Sequence, residues 1–289
     1  MSAHAAPTKR LALGDLAAKR DAGEPIVMVT AYDFPSAQIV EAAGVDIVLV
    51  GDSAAMTVLG YDSTVPVTID EMLMLTKAVR RGLTRPLLVG DLPFGSYEAS
   101  DEIAIATAQR FIKEAGVDLV KIERGGTTVD RARALVNAGI PVVGHVGLTP
   151  QTATALGGYR AQGRTAEAAL AVIDDALALQ AAGVSLLVVE AVPSEVTAAL
   201  MPLLDIPVIG IGAGADADGQ VLVFHDLLGI YAGGAAKFVK RYADLRAASV
   251  EGVAAYADEV RDGVYPGPEH GYGMPEGEAA RLRELIAGR

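Results

Sequence analysis

Five apolar segments of this chain each end on a side chain that can carry a charge or move a proton. The segments IVLVGD, PLLVGD, LVKIE, PVVGH and LLVVE end on Asp52, Asp91, Glu123, His145 and Glu190. Carboxylates are costly to bury, so their place directly after Val/Leu/Ile runs needs a reason. We predict that the five ends converge on one site, where carboxylates could bind a cation or act as acid and base.

The repeated Val-Gly-Asp at Asp52 and Asp91 indicates a site for a hard divalent cation. Mg²⁺ in proteins takes one or two carboxylates together with substrate and water oxygens. Aspartate also caps helices and loops with no metal involved. For one such aspartate capping is the favoured interpretation, whereas the repeat makes a shared metal site an equal alternative.

Lys121 and Glu123 lie two residues apart in LVKIE, so in a strand both side chains leave the same face. In a closed barrel that face could be the inner one. A lysine near the C-terminal end of an apolar run is a common way to bind the carboxylate or phosphate of a substrate. The alternative is a structural ion pair between the two side chains.

His145 and Glu190 are the candidates for proton transfer. Of the other histidines, His4 and His270 fall in the expected tails and His225 follows the last expected strand, where packing explains it. No partners stand at zinc-ligand spacing. His145 could therefore donate a hydrogen bond or relay a proton, with a purely structural histidine as an equal alternative. Glu190 could be a general base or one half of an internal salt bridge.

These side chains need elements that bring them together. EAAGVDIVLV, KEAGVDLVKI, VNAGIPVVGH and QAAGVSLLVV share a helix-like stretch, then Ala-Gly, then an apolar run that suits a parallel sheet covered by helices. The candidate strands are residues 26–30, 46–50, 86–89, 118–122, 141–144, 185–189, 207–211 and 221–224. Eight strands alternating with helices predict an α/β fold, a (β/α)8 TIM barrel with its site at the C-terminal strand ends. A doubly wound open sheet is the alternative.

The composition limits what kind of protein carries such a site. The chain has 289 residues, 51% of them hydrophobic, and no cysteine, which excludes disulfides and thiolate chemistry. Its net charge of −12 argues against a general nucleic-acid binder. Without an apolar run of roughly 20 residues or the apolar core of a secretory signal, we expect a cytoplasmic protein that binds neither nucleic acid nor membrane.

The ends of the chain differ from its middle. We expect residues 1–24 to form an N-terminal segment with a short helix at 11–18. Residues 25–265 should form the barrel as a single domain. Residues 266–289 are rich in Gly and Pro, then charged and helical, and should form a flexible C-terminal extension.

Longer motifs resemble one enzyme family, the ketopantoate hydroxymethyltransferases. The motifs are TAYDFPSA, VGDSAAMTVLGYDSTVPVT, GDLPFGSY, VKIE, PVVGHVGLTPQ, GGYRAQGR, VVEAVP, IPVIGIGAG, DGQVLVFHD and KFVK. They follow one another in the family's order from about Pro25 to about His270, whereas the segment after His270 departs from the family's pattern.

The resemblance implies a Mg²⁺-dependent barrel, usually a homodecamer. It would transfer a hydroxymethyl group from 5,10-methylenetetrahydrofolate to 3-methyl-2-oxobutanoate, giving 2-dehydropantoate (ketopantoate), the first committed step of pantothenate synthesis. The metal ligands it implies are Asp52, Asp91 and Glu123. The residues it places around the keto acid are Asp52, Ser53, Asp91, Lys121 and His145. Glu190 matches the proton acceptor.

Two other functions fit the same residues. A Mg²⁺-dependent lyase or mutase could use enolate chemistry on an oxo acid without folate. A non-catalytic barrel could bind a small acid. Folate dependence of turnover separates the first from the transferase, and metal-independent binding without turnover would favour the second.

Overall fold

The computed structural model describes residues 9–232, 234 and 236–289, so the first eight residues of the expected N-terminal segment lie outside it. Eight parallel strands pair in chain order, and β1 pairs with β8 to close the barrel. The strands are β1 (Ile26–Thr30), β2 (Ile47–Val50), β3 (Leu87–Asp91), β4 (Leu119–Glu123), β5 (Val142–Gly147), β6 (Leu186–Glu190), β7 (Val208–Ile211) and β8 (Gly219–Leu222). The predicted (β/α)8 fold is confirmed, and the open sheet is wrong.

Helices follow most of the strands and surround the sheet. Those up to the last strand are α1 (Leu13–Ala22), α2 (Phe34–Ala42), α3 (Ala54–Thr57), α4 (Ile69–Arg81), α5 (Asp101–Ala115), α6 (Thr128–Asn137), α7 (Ala166–Ala182) and α8 (Ser194–Leu200). Those after it are α9 (Phe224–Leu228), α10 (Leu245–Arg261) and α11 (Glu278–Ala287). Short 3-10 turns occupy Pro150–Thr152, Met201–Leu203 and Pro268–His270. None of the helices in the described part of the chain could cross a bilayer.

Two element bounds differ from the sequence-based expectation. The helix expected at 11–18 begins at Leu13 and continues to Ala22. The last strand, expected at 221–224, begins and ends two residues earlier, because Phe224 starts a helix. The backbone N–H of Phe224 donates a hydrogen bond to Thr30 Oγ1 at 2.8 Å, which turns the chain out of the sheet.

The Ala-Gly steps end helices as the repeated pattern predicts. Gly116 after α5 and Gly183 after α7 have φ values of 67° and 95°, in the left-handed region that a residue without Cβ adopts most readily. Each glycine reverses the chain at the bottom of the barrel, directly before the next strand. The local sequence thus sets where each strand begins.

Alternation along the strands decides which side chains enter the barrel. Leu87 and Val89, Leu119, Val143, and Leu186 and Val188 belong to one apolar cluster that α1 closes from below with Leu16. Residues two positions further along the same strands point the same way. Those next positions are Asp91, Lys121, His145 and Glu190. The inner face therefore changes from apolar to ionisable at the C-terminal ends.

The chain divides into two compact units, Met1–Tyr242 and Ala243–Arg289. The first contains the barrel. The second contains α10 and α11. The sequence-based division between the barrel at 25–265 and the C-terminal extension at 266–289 stays a prediction.

Candidate active site

Strand pairing brings the predicted side chains side by side. Asp91 of β3 lies in register with Lys121 of β4, and Glu123 of β4 lies in register with His145 of β5. Glu190 ends β6, the next strand around the barrel. These residues are at the C-terminal ends of the strands, as expected for a barrel active site. Asp52, which follows β2, lines the same cavity as Asp91, Glu123, His145 and Glu190, so the five strand ends do lie together.

Three carboxylates form a buried cluster. Ligand oxygens of Asp52, Asp91 and Glu123 all lie within 4.8 Å of one another, and each residue is less than 5% exposed. The Asp52 N–H donates to Asp91 Oδ2 at 3.0 Å, which holds the two aspartates together. Asp91 Oδ1 is buried and lies 2.9 Å from Lys121 Nζ, which is its charged partner. Hard oxygen donors with a spare lone pair in a closed cluster fit a Mg²⁺-type cation.

The electrostatics of this cluster also fit a cation. Burial, followed by the charges of Asp91 and Glu123, raises the pKa of Asp52 well above its ordinary value. Burial likewise raises the pKa of Asp91, although the Lys121 ammonium opposes the shift. One ammonium therefore does not offset the cost of burying these acids. A divalent cation would supply the missing positive charge.

A second line of contacts runs from Lys121 of β4 through His145 of β5 to Glu190 of β6. Lys121 Nζ lies 2.8 Å from Glu123 Oε1, and His145 Nδ1 lies 3.1 Å from the same oxygen. On its other side, His145 Nε2 lies 3.3 Å from Glu190 Oε2. The imidazole therefore links a carboxylate of the acidic cluster to one outside it. The ion pair considered from the sequence exists, and it extends from Lys121 to Asp91 and from Glu123 to His145.

The protonation of His145 follows from this position. Burial and the neighbouring Lys121 ammonium favour the neutral ring, but Glu123 and Glu190 outweigh them and raise the pKa of His145 to about 9. Burial alone would raise the pKa of Glu123, whereas Lys121 and His145 lower it to about 2. At neutral pH the imidazolium can donate through both nitrogens, one to each carboxylate.

These groups line a cavity of about 160 Å³ at the mouth of the barrel. The acidic cluster, Lys121 and His145 form one wall, while the opposite wall is largely apolar and also includes Asp226. The apolar lining residues are Leu49, Pro150, Val188, Ile211, Val221, Val223 and Phe238. A larger cleft of about 650 Å³ lies near the N-terminal ends of β1 and β8 and contains none of the predicted site residues. The chemistry belongs to the smaller cavity.

Similarity to known proteins decides the family. A family model for ketopantoate hydroxymethyltransferase matches residues 10–268. The chain belongs to the ketopantoate hydroxymethyltransferase family. It is 53% identical to 3-methyl-2-oxobutanoate hydroxymethyltransferase of Geobacillus kaustophilus over 91% of this chain and 94% of that protein. It is 50% identical to the mitochondrial enzyme 1 of that name from Arabidopsis thaliana over 91% of this chain and 78% of that protein.

A third relative extends over the C-terminal segment. The 3-methyl-2-oxobutanoate hydroxymethyltransferase of Oleidesulfovibrio alaskensis is 49% identical over 100% of this chain and 99% of its own. The segment after His270 is therefore shared with at least one relative of this family, although the family motifs stop before it.

Solved structures with the same fold act on other small molecules. Phosphonopyruvate hydrolase matches with a TM-score of 0.58 at 12% identity, covering 95% of this chain and 98% of that one. Phosphoenolpyruvate phosphomutase from Streptomyces platensis subsp. rosaceus matches with a TM-score of 0.57 at 17% identity, covering 96% of each chain. At such low identity these structures support the barrel and not an activity.

Sequence reasoning missed Gln151 and Tyr97, which contact the acidic cluster. The Gln151 side chain donates to Asp52 Oδ2 at 3.0 Å, and its backbone N–H donates to Glu123 Oε2 at 3.1 Å. Tyr97 donates to Gln151 Oε1 at 2.6 Å and accepts from the Glu123 N–H at 3.2 Å. Gln151 thus fixes two carboxylates of the acidic cluster, and Tyr97 fixes Gln151.

Ser53 lines the same cavity directly after Asp52, and its contact with the keto acid stays a prediction. Its Oγ lies 2.8 Å from the hydroxyl of Tyr32, a residue that the sequence did not single out. Burial raises the pKa of Tyr32 to about 12, so this hydroxyl stays protonated. The ring of His225 packs against Tyr32 in a tilted arrangement, 5.3 Å between centroids, which agrees with a packing role for that histidine.

Proposed function

We propose that the protein transfers a hydroxymethyl group from 5,10-methylenetetrahydrofolate to 3-methyl-2-oxobutanoate in a Mg²⁺-dependent reaction that gives 2-dehydropantoate. The family and the names of its relatives support the keto acid and the hydroxymethyl transfer, and the folate donor follows from the resemblance of the motifs. One observation carries the proposal: the cavity has three clustered carboxylates on one side and a fourth, Glu190, held apart from them by His145. Enolate chemistry needs this division between acids that hold a cation and one that takes a proton.

The chemistry follows from the acidity of the keto acid. Its C3 proton is weakly acidic because the carbanion left behind is an enolate. Asp52, Asp91 and Glu123 would hold Mg²⁺, which when bound supplies Lewis-acid stabilisation of the developing negative charge. In the transfer, the enolate carbon forms a bond to the methylene carbon of the folate, both bonds from that carbon to the folate nitrogens break, and water supplies the hydroxyl group. The two nitrogens take up the C3 proton and the second proton of the water, which leaves tetrahydrofolate.

Glu190 is the proposed base. It lies outside the acidic cluster and is 16% exposed, so its carboxylate can reach the cavity while the clustered acids are committed to the cation. His145 Nε2 lies 3.3 Å from Glu190 Oε2 and His145 Nδ1 lies 3.1 Å from Glu123 Oε1, so the imidazole stands between the two carboxylates and its charge holds Glu190 in place. A base held in this way costs no reorganisation when it takes the C3 proton.

Lys121 and Ser53 are the proposed anchors of the keto acid, beside Asp52, Asp91 and His145. The Lys121 ammonium faces the cavity and offsets the charge of the bound carboxylate. The apolar wall opposite, which includes Val188 and Ile211, suits the substrate's isopropyl group.

Proton exchange tests the assignment of the base. The wild-type protein with Mg²⁺ should exchange the C3 proton of the keto acid into deuterated water even without folate, because enolisation precedes carbon transfer. Proton NMR then shows the C3 signal fading and the methyl doublet collapsing. Glu190→Gln should lose exchange and turnover together by roughly 10²–10⁴-fold. Glu195→Gln, on the exposed face of α8, is the matched control.

The outcomes separate the alternatives. If Glu190→Gln exchanges at the wild-type rate while turnover falls, Glu190 is not the enolising base. If the wild-type protein exchanges the proton but never forms 2-dehydropantoate with the folate, a lyase or mutase is favoured over the transferase.

We also propose, on the family resemblance, that the protein is a cytoplasmic homodecamer. Sedimentation analysis of the purified protein tests whether its mass is that of ten chains.

A further inference from the structure

The loop after β5, residues 150–164, crosses the mouth of the cavity. At its start, Gln151 is buried against the acidic cluster. Near its end, the Gln162 N–H donates to the Ala191 carbonyl at 2.9 Å, one residue beyond Glu190. The loop is thus attached at the metal side and at the base side of the site. Its middle, which includes the GGYRAQGR motif, has no part in the proposed enolisation.

The middle of this loop presents an exposed aromatic surface. Tyr159 is 53% exposed, and its hydroxyl lies 3.8 Å from the sulfur of Met56, which is 42% exposed. Met56 is on α3, three residues after Ser53, so this contact lies beside the cavity. Partial burial, followed by the charges of Asp52 and other site carboxylates, raises the pKa of Tyr159, in keeping with that position.

The same loop carries two unused positive charges. Arg160 and Arg164 are exposed, and neither pairs with a carboxylate within the part of the chain that the structure describes. Because the chain as a whole carries a net charge of −12, these two exposed arginines supply local positive charge on a loop that is attached at both sides of the acidic cavity. They suit a ligand that brings its own carboxylates.

We propose that Tyr159, Met56 and Arg160, with Arg164, form the binding surface for the folate donor. This rests on the proposed function. The cavity of about 160 Å³ is smaller than the roughly 300–1,000 Å³ that drug-sized ligands occupy, so it holds the keto acid but not a folate. The donor must therefore bind at the mouth. Its flat rings stack on Tyr159 and Met56, and its glutamate carboxylate meets the arginines.

Direct binding tests this surface without requiring turnover. Tetrahydrofolate is titrated calorimetrically into the wild-type protein and the variants Tyr159→Ala, Tyr159→Phe and Arg160→Ala. Tyr159→Ala should raise the Kd about tenfold to a hundredfold, as loss of an aromatic stacking platform does elsewhere. Tyr159→Phe keeps the ring and should stay within about threefold. Arg160→Ala should cost about threefold, less at high salt. Arg133→Ala, an exposed arginine on α6, is the control.

Folate-free proton exchange is measured in the same variants. The proposal holds if Tyr159→Ala weakens tetrahydrofolate binding at least tenfold more than it slows exchange. It is overturned if the wild-type protein does not bind tetrahydrofolate, if Tyr159→Ala binds it as tightly, or if exchange falls in parallel with binding. Tyr159-dependent binding without formation of 2-dehydropantoate would refute the proposed function and leave this surface standing.

Discussion

The two ends of the barrel both contain buried or half-buried aspartates, but in different surroundings. At the N-terminal ends of the strands, Asp46, Asp118 and Asp218 each accept a backbone N–H from a neighbouring strand, at 3.0, 2.9 and 2.8 Å. At the C-terminal ends, Asp52 and Asp91 lie beside another carboxylate and share one lysine. Aspartate therefore links neighbouring strands by hydrogen bonds at the N-terminal ends, whereas at the C-terminal ends it lies close to other negative charges.

The cations show the difference most clearly. Asp46 pairs with Lys19 at 2.8 Å and with Arg85 at 3.3 Å. Asp118 pairs with Arg10 at 2.7 Å and lies 3.6 Å from Arg80. At the N-terminal, lower end of the barrel the positive charges equal or exceed the carboxylates they meet. At the C-terminal, upper end the positive charges are fewer, because Lys121 and the protonated His145 face four carboxylates. We infer that the lower end contributes stability and that the upper end gives up stability for ligand binding.

The largest expected effect is at the upper end. Replacing Asp52 and Asp91 together by asparagine should abolish Mg²⁺ binding and lower turnover on the order of 10³-fold, since a Lewis-acid metal supplies several kcal/mol. The fold should survive, with an unchanged or higher melting temperature. Calorimetric Mg²⁺ titration, turnover and thermal unfolding measure the three effects. Asp174→Asn, on the exposed face of α7, is the control.

The pH dependence of that stability gain has a definite sign. The folded-state pKa of each aspartate is raised, so the ionised carboxylate costs stability once the pH is above the unfolded value near 3.8. The metal-free double variant should therefore exceed the wild type in melting temperature at neutral pH, and the difference should shrink toward pH 3. An active double variant with unchanged Mg²⁺ dependence would refute the metal assignment.

The lower end should respond in the opposite way. Asp46→Ala leaves Lys19, Arg85 and the Val27 N–H without their shared partner, and Asp46 is only 2% exposed. Removing one member of a buried ion pair costs about 3 kcal/mol in the free energy of unfolding. Denaturant unfolding should show this loss, while Mg²⁺ affinity below the transition stays unchanged. Equal stability of variant and wild type would remove the contrast between the two ends.

Replacing Lys121 tests whether its ammonium both binds the substrate and stabilises the carboxylates at the upper end. Lys121→Ala should lower kcat/KM about tenfold to a hundredfold, because a charge-assisted hydrogen bond in a partly dry pocket is worth roughly 1.5–3 kcal/mol. It should also lower stability, since Asp91 and Glu123 lose their nearest cation. Substrate titrations and thermal unfolding measure both. Wild-type kinetics would make Lys121 only a structural partner of these carboxylates.

Sequence patterns predicted the strand-end residues because each follows an apolar run, where chain direction and alternation fix the side chain's place. Gln151, Tyr97 and Tyr32 escaped prediction because loops bring them to the site, and a loop's path depends on contacts distant in sequence. TPQ in the family motif was the only signal for Gln151. The lower aspartates did leave a signal, the Gly-Val-Asp at 44–46 and again at 116–118.

The smallest expected effect separates charge from hydrogen bonding at the lower end. Asp218 accepts the Val208 N–H at 2.8 Å and lies 3.6 Å from Arg20, whose side chain is 23% exposed. Asp218→Asn keeps an acceptor for the N–H and loses only the partly solvated charge pair, which costs about 0.5–1 kcal/mol. Asp218→Ala also leaves the N–H unpaired, which adds about 1–3 kcal/mol. Urea unfolding of both variants gives the two costs. If asparagine is as destabilising as alanine, the ion pair rather than the strand-to-strand hydrogen bond holds this end together.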